Sequence, residues 1–233
     1  MQDRRRSPTA GVLAARPTAA PSAPPPAPGT QPLGLGVAGE PLLHVPPEPA
    51  AGRAAPLVVT LHGAGGDAEA GLAPLRALAD ERGLLLLAPS SRGATWDAVR
   101  SGFGPDAGLL DEALDRVFAT VRVDAARVAV AGFSDGASYA LGLGLANGDL
   151  FRRVVAFSPG FVPRGPRAGR PAVFVSHGDA DAVLPVDRTS RRVVPALRDD
   201  GYDVTYREFA GPHTVPPEVA REAVGWLAGE ARR

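Results

Sequence analysis

Short apolar runs recur along the chain, and each closes in a turn marked by glycine or proline. LVVTL (57–61) runs into His62-Gly63, LLLL (84–87) into Pro89, and RVAVA (127–131) into Gly132. RVVAF (153–157) and AVFV (172–175) repeat the theme, and DVTYREF (203–209), which is more polar, is also expected as a strand. Runs this short and this uniformly apolar predict strands buried on both faces. Between them the apolar spacing changes to three and four, which predicts helices. Residues 69–80 carry Leu72, Leu75 and Leu78, despite Pro74 near the start. Residues 106–120 align Leu109, Leu110, Leu114, Val117 and Phe118, and further helices are expected over 136–146, 189–199 and 218–228. LLHV (42–45) is expected as a short edge strand.

Strands that alternate with helices predict a mostly parallel sheet with a helical layer on each side, joined by right-handed crossovers. About six strand–helix units are too few for a closed eight-stranded barrel of about 250 residues. The expected fold class is therefore α/β, an open three-layer αβα sandwich whose chemistry gathers at the carboxyl ends of the strands.

Composition alters this picture at the front of the chain. Of the 25 prolines, 13 fall in residues 1–56, and no Phe, Tyr or Trp precedes Trp96. PSAPPPAP (21–28) lacks amide donors and large side chains, so residues 1–36 are expected to be a disordered or extended segment ahead of a domain over 37–233. The start, MQDRRRSPTAGVLAARP, is basic like an export signal, but its apolar stretch stops at Arg16, short of the about 7 residues that a signal core needs. A cytoplasmic location is expected. No apolar stretch approaches the about 18 residues of a membrane span. The 25 basic residues, all Arg, balance 25 acidic ones, so nucleic acid is not an expected partner. The absence of cysteine excludes thiolate metal sites, disulfides and a cysteine nucleophile.

Candidate chemistry sits in the strand-end turns. Gly132-Phe-Ser134-Asp135-Gly136 lies between a predicted strand and a predicted helix. A serine on such a turn stands proud of the sheet, flanked by glycines that permit close backbone approach, with helix amides beside it. A serine hydroxyl needs a base, and His213, just past the last strand, is the preferred one over His44, His62 and His177. The base needs an orienting carboxylate. Asp181 is preferred over Asp179, which could instead brace its turn, and over Asp187, a candidate helix cap. The chain order Ser134, Asp181, His213 is that of a strand-end hydrolase triad. The glycine-rich turn His62-Gly63-Ala64-Gly65-Gly66 lacks the Lys and the spacing of a phosphate loop. Its expected task is to pair the Ala64 amide with the Asp135 amide as an oxyanion receptor.

The segments LVVTLHGAGGD, RVAVAGFSDGAS, FSPGF, SHGDADAVLP and GPHTVP, spread in order over residues 57–217, resemble the phospholipase/carboxylesterase branch of the α/β-hydrolases. That branch includes acyl-protein thioesterases and lysophospholipase-like enzymes, and polyhydroxyalkanoate depolymerase-like esterases share a similar core. The resemblance implies an α/β-hydrolase fold with little or no cap. It places the serine at Ser134, the acid at Asp181, the histidine at His213, and an oxyanion strand end at His62-Gly63. Three residues depart from the family pattern. Asp135 and Ala137 stand where Gln and Gly are frequent after the serine, and Pro212 replaces a glycine before the histidine. The Asp135 carboxylate is expected to point away from the oxyanion, toward arginine or backbone donors.

The expected activity is hydrolysis of carboxylic esters of small to medium acyl chains through an acyl-enzyme, with no metal or organic cofactor. Lysophospholipid, thioester and amide substrates are alternatives, and a non-catalytic binding protein of the same fold is a reading of another class. Trp96, Phe103 and Phe161 are expected as packing anchors, with at least one of them a candidate wall of the acyl or alcohol pocket. Arg164, Arg167 and Arg170 are expected to be solvated.

Overall fold

The apolar runs assemble into one eight-stranded sheet. The computed structural model describes residues 10–18, 21–22, 24–47 and 54–229. Strands β1 (Gly29–Pro32), β2 (Leu42–Val45), β3 (Ala55–Leu61), β4 (Leu85–Ala88), β5 (Val123–Phe133), β6 (Arg153–Phe157), β7 (Ala172–Gly178) and β8 (Val204–Phe209) lie in the order β1-β2-β4-β3-β5-β6-β7-β8. The β1–β2 and β2–β4 pairs are antiparallel; every other pair is parallel.

Alternation along each strand divides the core into two halves. Leu57, Val59, Val128, Val130, Val154 and Val173 face one layer; Val58, Leu86, Ala129, Val155 and Phe174 face the other. The first layer holds α3 (Asp97–Arg100), α4 (Pro105–Thr120), α5 (Asp135–Ala146) and α6 (Ser190–Asp199). The second holds α1 (Ala68–Leu72), α2 (Arg76–Arg82) and α7 (Pro217–Ala228). This is the three-layer α/β-hydrolase architecture.

The structure departs from the sequence expectations in three places. The helix expected over 69–80 is two helices, because Pro74 has no amide to donate and its ring crowds the preceding turn. Leu42–Val45 is not an edge strand, since β1 pairs along its outer side. The carboxylate of Glu40 closes the intervening turn by accepting from the amides of Leu35, Gly36 and Val37.

Third, the described part of the front segment is extended but packed against the body. Leu13 and Ala15 are buried in the first core half. Asn147 accepts from the Leu13 amide at 2.8 Å and donates to the Gly11 carbonyl at 2.7 Å. Asp111 accepts from the Ala14 and Ala15 amides, and Arg16 pairs with Asp149. Residues 13–15, which belong to no helix or strand, thus have their backbone donors met by side chains. The basic start at residues 1–9 lies outside the described residues.

Candidate active site

β5 delivers Ser134 to the carboxyl edge of the sheet through a backbone turn with φ 57° and ψ −120°, a conformation that costs a non-glycine residue about 1–3 kcal/mol. The flanking glycines are obligatory. A Cβ on Gly132 would stand 2.2 Å from the Gly136 carbonyl oxygen, and one on Gly136 would stand 2.3 Å from that of Leu61. The Ser134 amide donates to the Phe157 carbonyl, which ties the turn to β6. Ser138, one helical turn on, bonds the Ser134 carbonyl and accepts from the Gly160 amide.

His213 comes from the loop after β8. Its Nε2 lies 2.9 Å from Ser134 Oγ and its Nδ1 lies 2.5 Å from Asp181 Oδ2. A carboxylate can only accept here, so Nδ1 carries the proton and Nε2 is free to accept the serine hydroxyl. Phe133 packs on the imidazole with ring centroids 4.7 Å apart, fixing its plane. Asp179 accepts from the Gly211 amide and so braces the loop that carries His213. The structure thus gives Asp179 the bracing role and brings Asp181 to the histidine. Asp187 pairs with Arg191 and caps no helix.

Asp181 is buried, and its second oxygen, Oδ1, accepts from the Val183 and Leu184 amides at 2.9 and 2.7 Å. Burial opposes its charge. The Leu184 amide, His213 and the Val183 amide outweigh burial and hold the carboxyl below the usual carboxylate range. Below it lies His177, fully buried, with Nε2 2.8 Å from the Leu184 carbonyl and 3.1 Å from Asp181 Oδ2.

The glycine-rich turn after β3 is built on His62. Both ring partners are backbone groups: Nδ1 donates to the Gly63 carbonyl and Nε2 accepts from the Ser91 amide. Burial pushes this imidazole below its ordinary value, consistent with a neutral ring. Trp96 stacks on it and donates from Nε1 to the His62 carbonyl. The turn therefore holds its shape through the loop that follows β4. The Gly65 amide is spent on the Ala94 carbonyl and the Gly66 amide on the Gly63 carbonyl. Asp135 opens α5, so its amide belongs to the first turn, which has no intrahelical acceptors. Its carboxylate accepts from Thr95 Oγ1 at 2.6 Å, and among the described residues neither from an arginine nor from backbone.

Of the three candidate pocket aromatics, Trp96 and Phe103 are packing anchors. Trp96 is 1% exposed between His62 and Tyr139, and Phe103 packs edge-on against Tyr139. Phe161 is 42% exposed and leaves a face free. Arg164, Arg167 and Arg170 are all exposed, and Arg170 also lies over the Tyr202 ring and donates to the Asp200 carbonyl. His44 is buried in a packing role between Thr30 and Asp80. Phe133 and Thr95 were not singled out by the sequence, and His177 entered only as an alternative base to His213. Phe133 is the residue between glycine and serine in the turn and had a position to recommend it; Thr95 had no local signal. Among the described residues no group of three or more His, Asp or Glu is arranged to hold a metal, and no helix is long and apolar enough to cross a membrane.

A serine, histidine and aspartate joined in series at the carboxyl edge of a mostly parallel, doubly covered sheet define an α/β-hydrolase with a serine-hydrolase-type site. Residues 100–224, more than half of the chain, match the Phospholipase/Carboxylesterase family, and the chain belongs to it. A curated protein of Nocardia uniformis subsp. tsuyamanensis, named "Putative esterase NocK", is 32% identical over 161 residues, which cover 64% of this chain. The match takes in 46% of that protein, so the chain spans about half the length of this relative. Among solved structures, esterase PE8 is 25% identical with a TM-score of 0.66, over 81% of this chain and 97% of that one. TT1662 from Thermus thermophilus is 26% identical with a TM-score of 0.62, over 87% and 98%.

Proposed function

We propose that the protein is a serine carboxylesterase acting on esters of small to medium acyl chains. The observation that carries this reading is His213, hydrogen-bonded to Ser134 Oγ on one side and to Asp181 on the other. Such a link converts a weak nucleophile into one that can shed its proton as it attacks.

In the first half-reaction Ser134 Oγ attacks the ester carbonyl and its proton passes to His213 Nε2. Asp181 holds the Nδ1–H and stabilises the imidazolium. The carbonyl oxygen becomes an oxyanion that the Ala64 and Asp135 amides receive, each such donor contributing about 3 kcal/mol to the transition state. His213 then protonates the departing alcohol as the carbon–oxygen bond breaks. A water attacks the acyl-enzyme by the same route, gives its proton to His213, and Ser134 leaves with that proton. No step calls for a metal or an organic cofactor.

Support for short and medium acyl chains comes from the connection between β6 and β7. Residues 158–171 contain no helix or strand that would fold over the site as a cap, and Phe161 presents an apolar face there. The test is a panel of p-nitrophenyl esters of rising chain length, run beside a lysophospholipid and an acyl-thioester. The expected result is highest kcat/KM on a short or medium ester, with Ser134→Ala and His213→Ala each lowering kcat by about 10⁴-fold or more. A wild-type protein that is folded yet inert on the whole panel would favour the non-catalytic reading.

A further inference from the structure

The second buried histidine of the site has no part in the proton transfers above, yet it touches the machinery at two points. His177 Nε2 lies 2.8 Å from the Leu184 carbonyl and 3.1 Å from Asp181 Oδ2. Its Nδ1 lies 2.7 Å from Ser190 Oγ, at the start of α6. A carbonyl only accepts, so Nε2 carries the hydrogen. In a neutral ring Nδ1 then accepts, and the Ser190 hydroxyl is its donor. The ring side chain is wholly buried, and burial pushes it below its ordinary value, which keeps it neutral.

The Leu184 peptide passes this arrangement on. Its carbonyl is held by His177, while its amide donates to Asp181 Oδ1 at 2.7 Å. The chain of contacts runs from Ser190 through His177 and Leu184 to Asp181, and from there to His213 and Ser134. With Nε2–H facing it, Asp181 Oδ2 meets the positive end of an imidazole dipole on one side and the His213 N–H on the other. If the proton moved to Nδ1, the Nε2 lone pair would face both the Leu184 carbonyl and the carboxylate. That arrangement is repulsive in a buried site.

We propose that His177 is a positioning residue for this reaction: it orients the Asp181 carboxylate both directly and through Leu184, and Ser190 sets the tautomer that lets it do so. The inference rests on the serine-esterase reading of the site, since it assigns Asp181 the role of orienting acid.

The test combines steady-state kinetics on a p-nitrophenyl ester with imidazole ¹⁵N NMR of the full-length protein. His177→Leu is expected to lower kcat by about ten- to a hundredfold, the effect of removing a buried hydrogen-bond donor beside Asp181, with KM changed less than about twofold. His177→Gln, which keeps an N–H donor for the Leu184 carbonyl, is expected to recover most of the loss. Ser190→Ala, which keeps the ring but removes its donor, is expected to lower kcat with an unchanged KM. In the wild type, the His177 ¹⁵N signals are expected to show hydrogen on Nε2 and a bare Nδ1. A folded His177→Leu or Ser190→Ala protein with wild-type kcat would overturn the proposal, as would ¹⁵N signals placing the hydrogen on Nδ1. If His177→Leu does not fold, Ser190→Ala and the NMR signals still decide. Failure of the esterase reading itself has a different signature, a wild-type protein inert on every ester.

Discussion

Thr95 Oγ1 donates to Asp135 Oδ2 across 2.6 Å, so the acidic side chain beside the nucleophile is tied to the loop that follows β4. Asp135 stands where the family often has glutamine, and its own amide is a proposed oxyanion donor. A carboxylate this close to a forming oxyanion is tolerable when a donor holds it, and a hydrogen bond to a charged group is worth about 1.5–3 kcal/mol.

Thr95→Val keeps the shape of the side chain and removes that donor. It is expected to lower kcat by about tenfold, or ~1.4 kcal/mol of barrier. Asp135→Asn in the same background removes the charge and keeps the backbone amide, so it is expected to recover kcat. The check is kcat for the wild type, the two single variants and the double variant on one ester.

Acid is expected to weaken the fold before it protonates the acidic side chains. His62 and His177 are both held below their ordinary value of 6.5 by burial. In the unfolded chain they bind protons at a pH where the folded protein does not. Stability is therefore full above about pH 6.5 and falls as pH drops below that value. Asp181, whose folded value is depressed, adds a further loss as pH falls below its ordinary 3.8. Melting temperatures from pH 8 to pH 5 test the histidine part. A decline is expected in the wild type, and a shallower one in His62→Asn, which removes one of the two groups.

The front segment is expected to contribute to stability. Leu13 is fully buried between groups fixed by Asn147 and Asp111. Leu13→Ala is expected to cost about 2–3 kcal/mol, at the low end for a buried leucine because the strap can partly collapse. For a domain of this size that lowers Tm by about 5–10 °C. Thermal denaturation followed by circular dichroism checks it, and an unchanged Tm would show that the segment is detached in solution.

Most of the sheet was legible in the sequence because its strands are short and apolar on both faces, and Ser134, His213 and Asp181 fall in turns that follow them. The structure resolves Asp181 from Asp179 by distance, which spacing alone could not do: a single residue, Ala180, separates them and both carboxylates can reach the loop. β1 was hidden because Gly29 and Pro32 bound it and its residues are mostly exposed, so no alternating apolar pattern marks it. The packing of Leu13 was hidden for a related reason. The apolar stretch around it stops at Arg16, too short to show a period, and the partners of the Leu13 and Ala14 amides, Asn147 and Asp111, lie about a hundred residues away or more. His177 looked like an ordinary turn residue before a glycine. Its significance comes from Leu184 and Ser190, which reach it only when the loop after β7 folds back.

The most direct test of the account is treatment of the intact protein with a fluorophosphonate, followed by peptide mapping in a mass spectrometer. The predicted result is one adduct, on Ser134, formed rapidly in the wild type, much more slowly in His213→Ala, and absent in Ser134→Ala. An adduct on another residue, or equal labelling of Ser134 with and without His213, would contradict the claim that this histidine activates this serine.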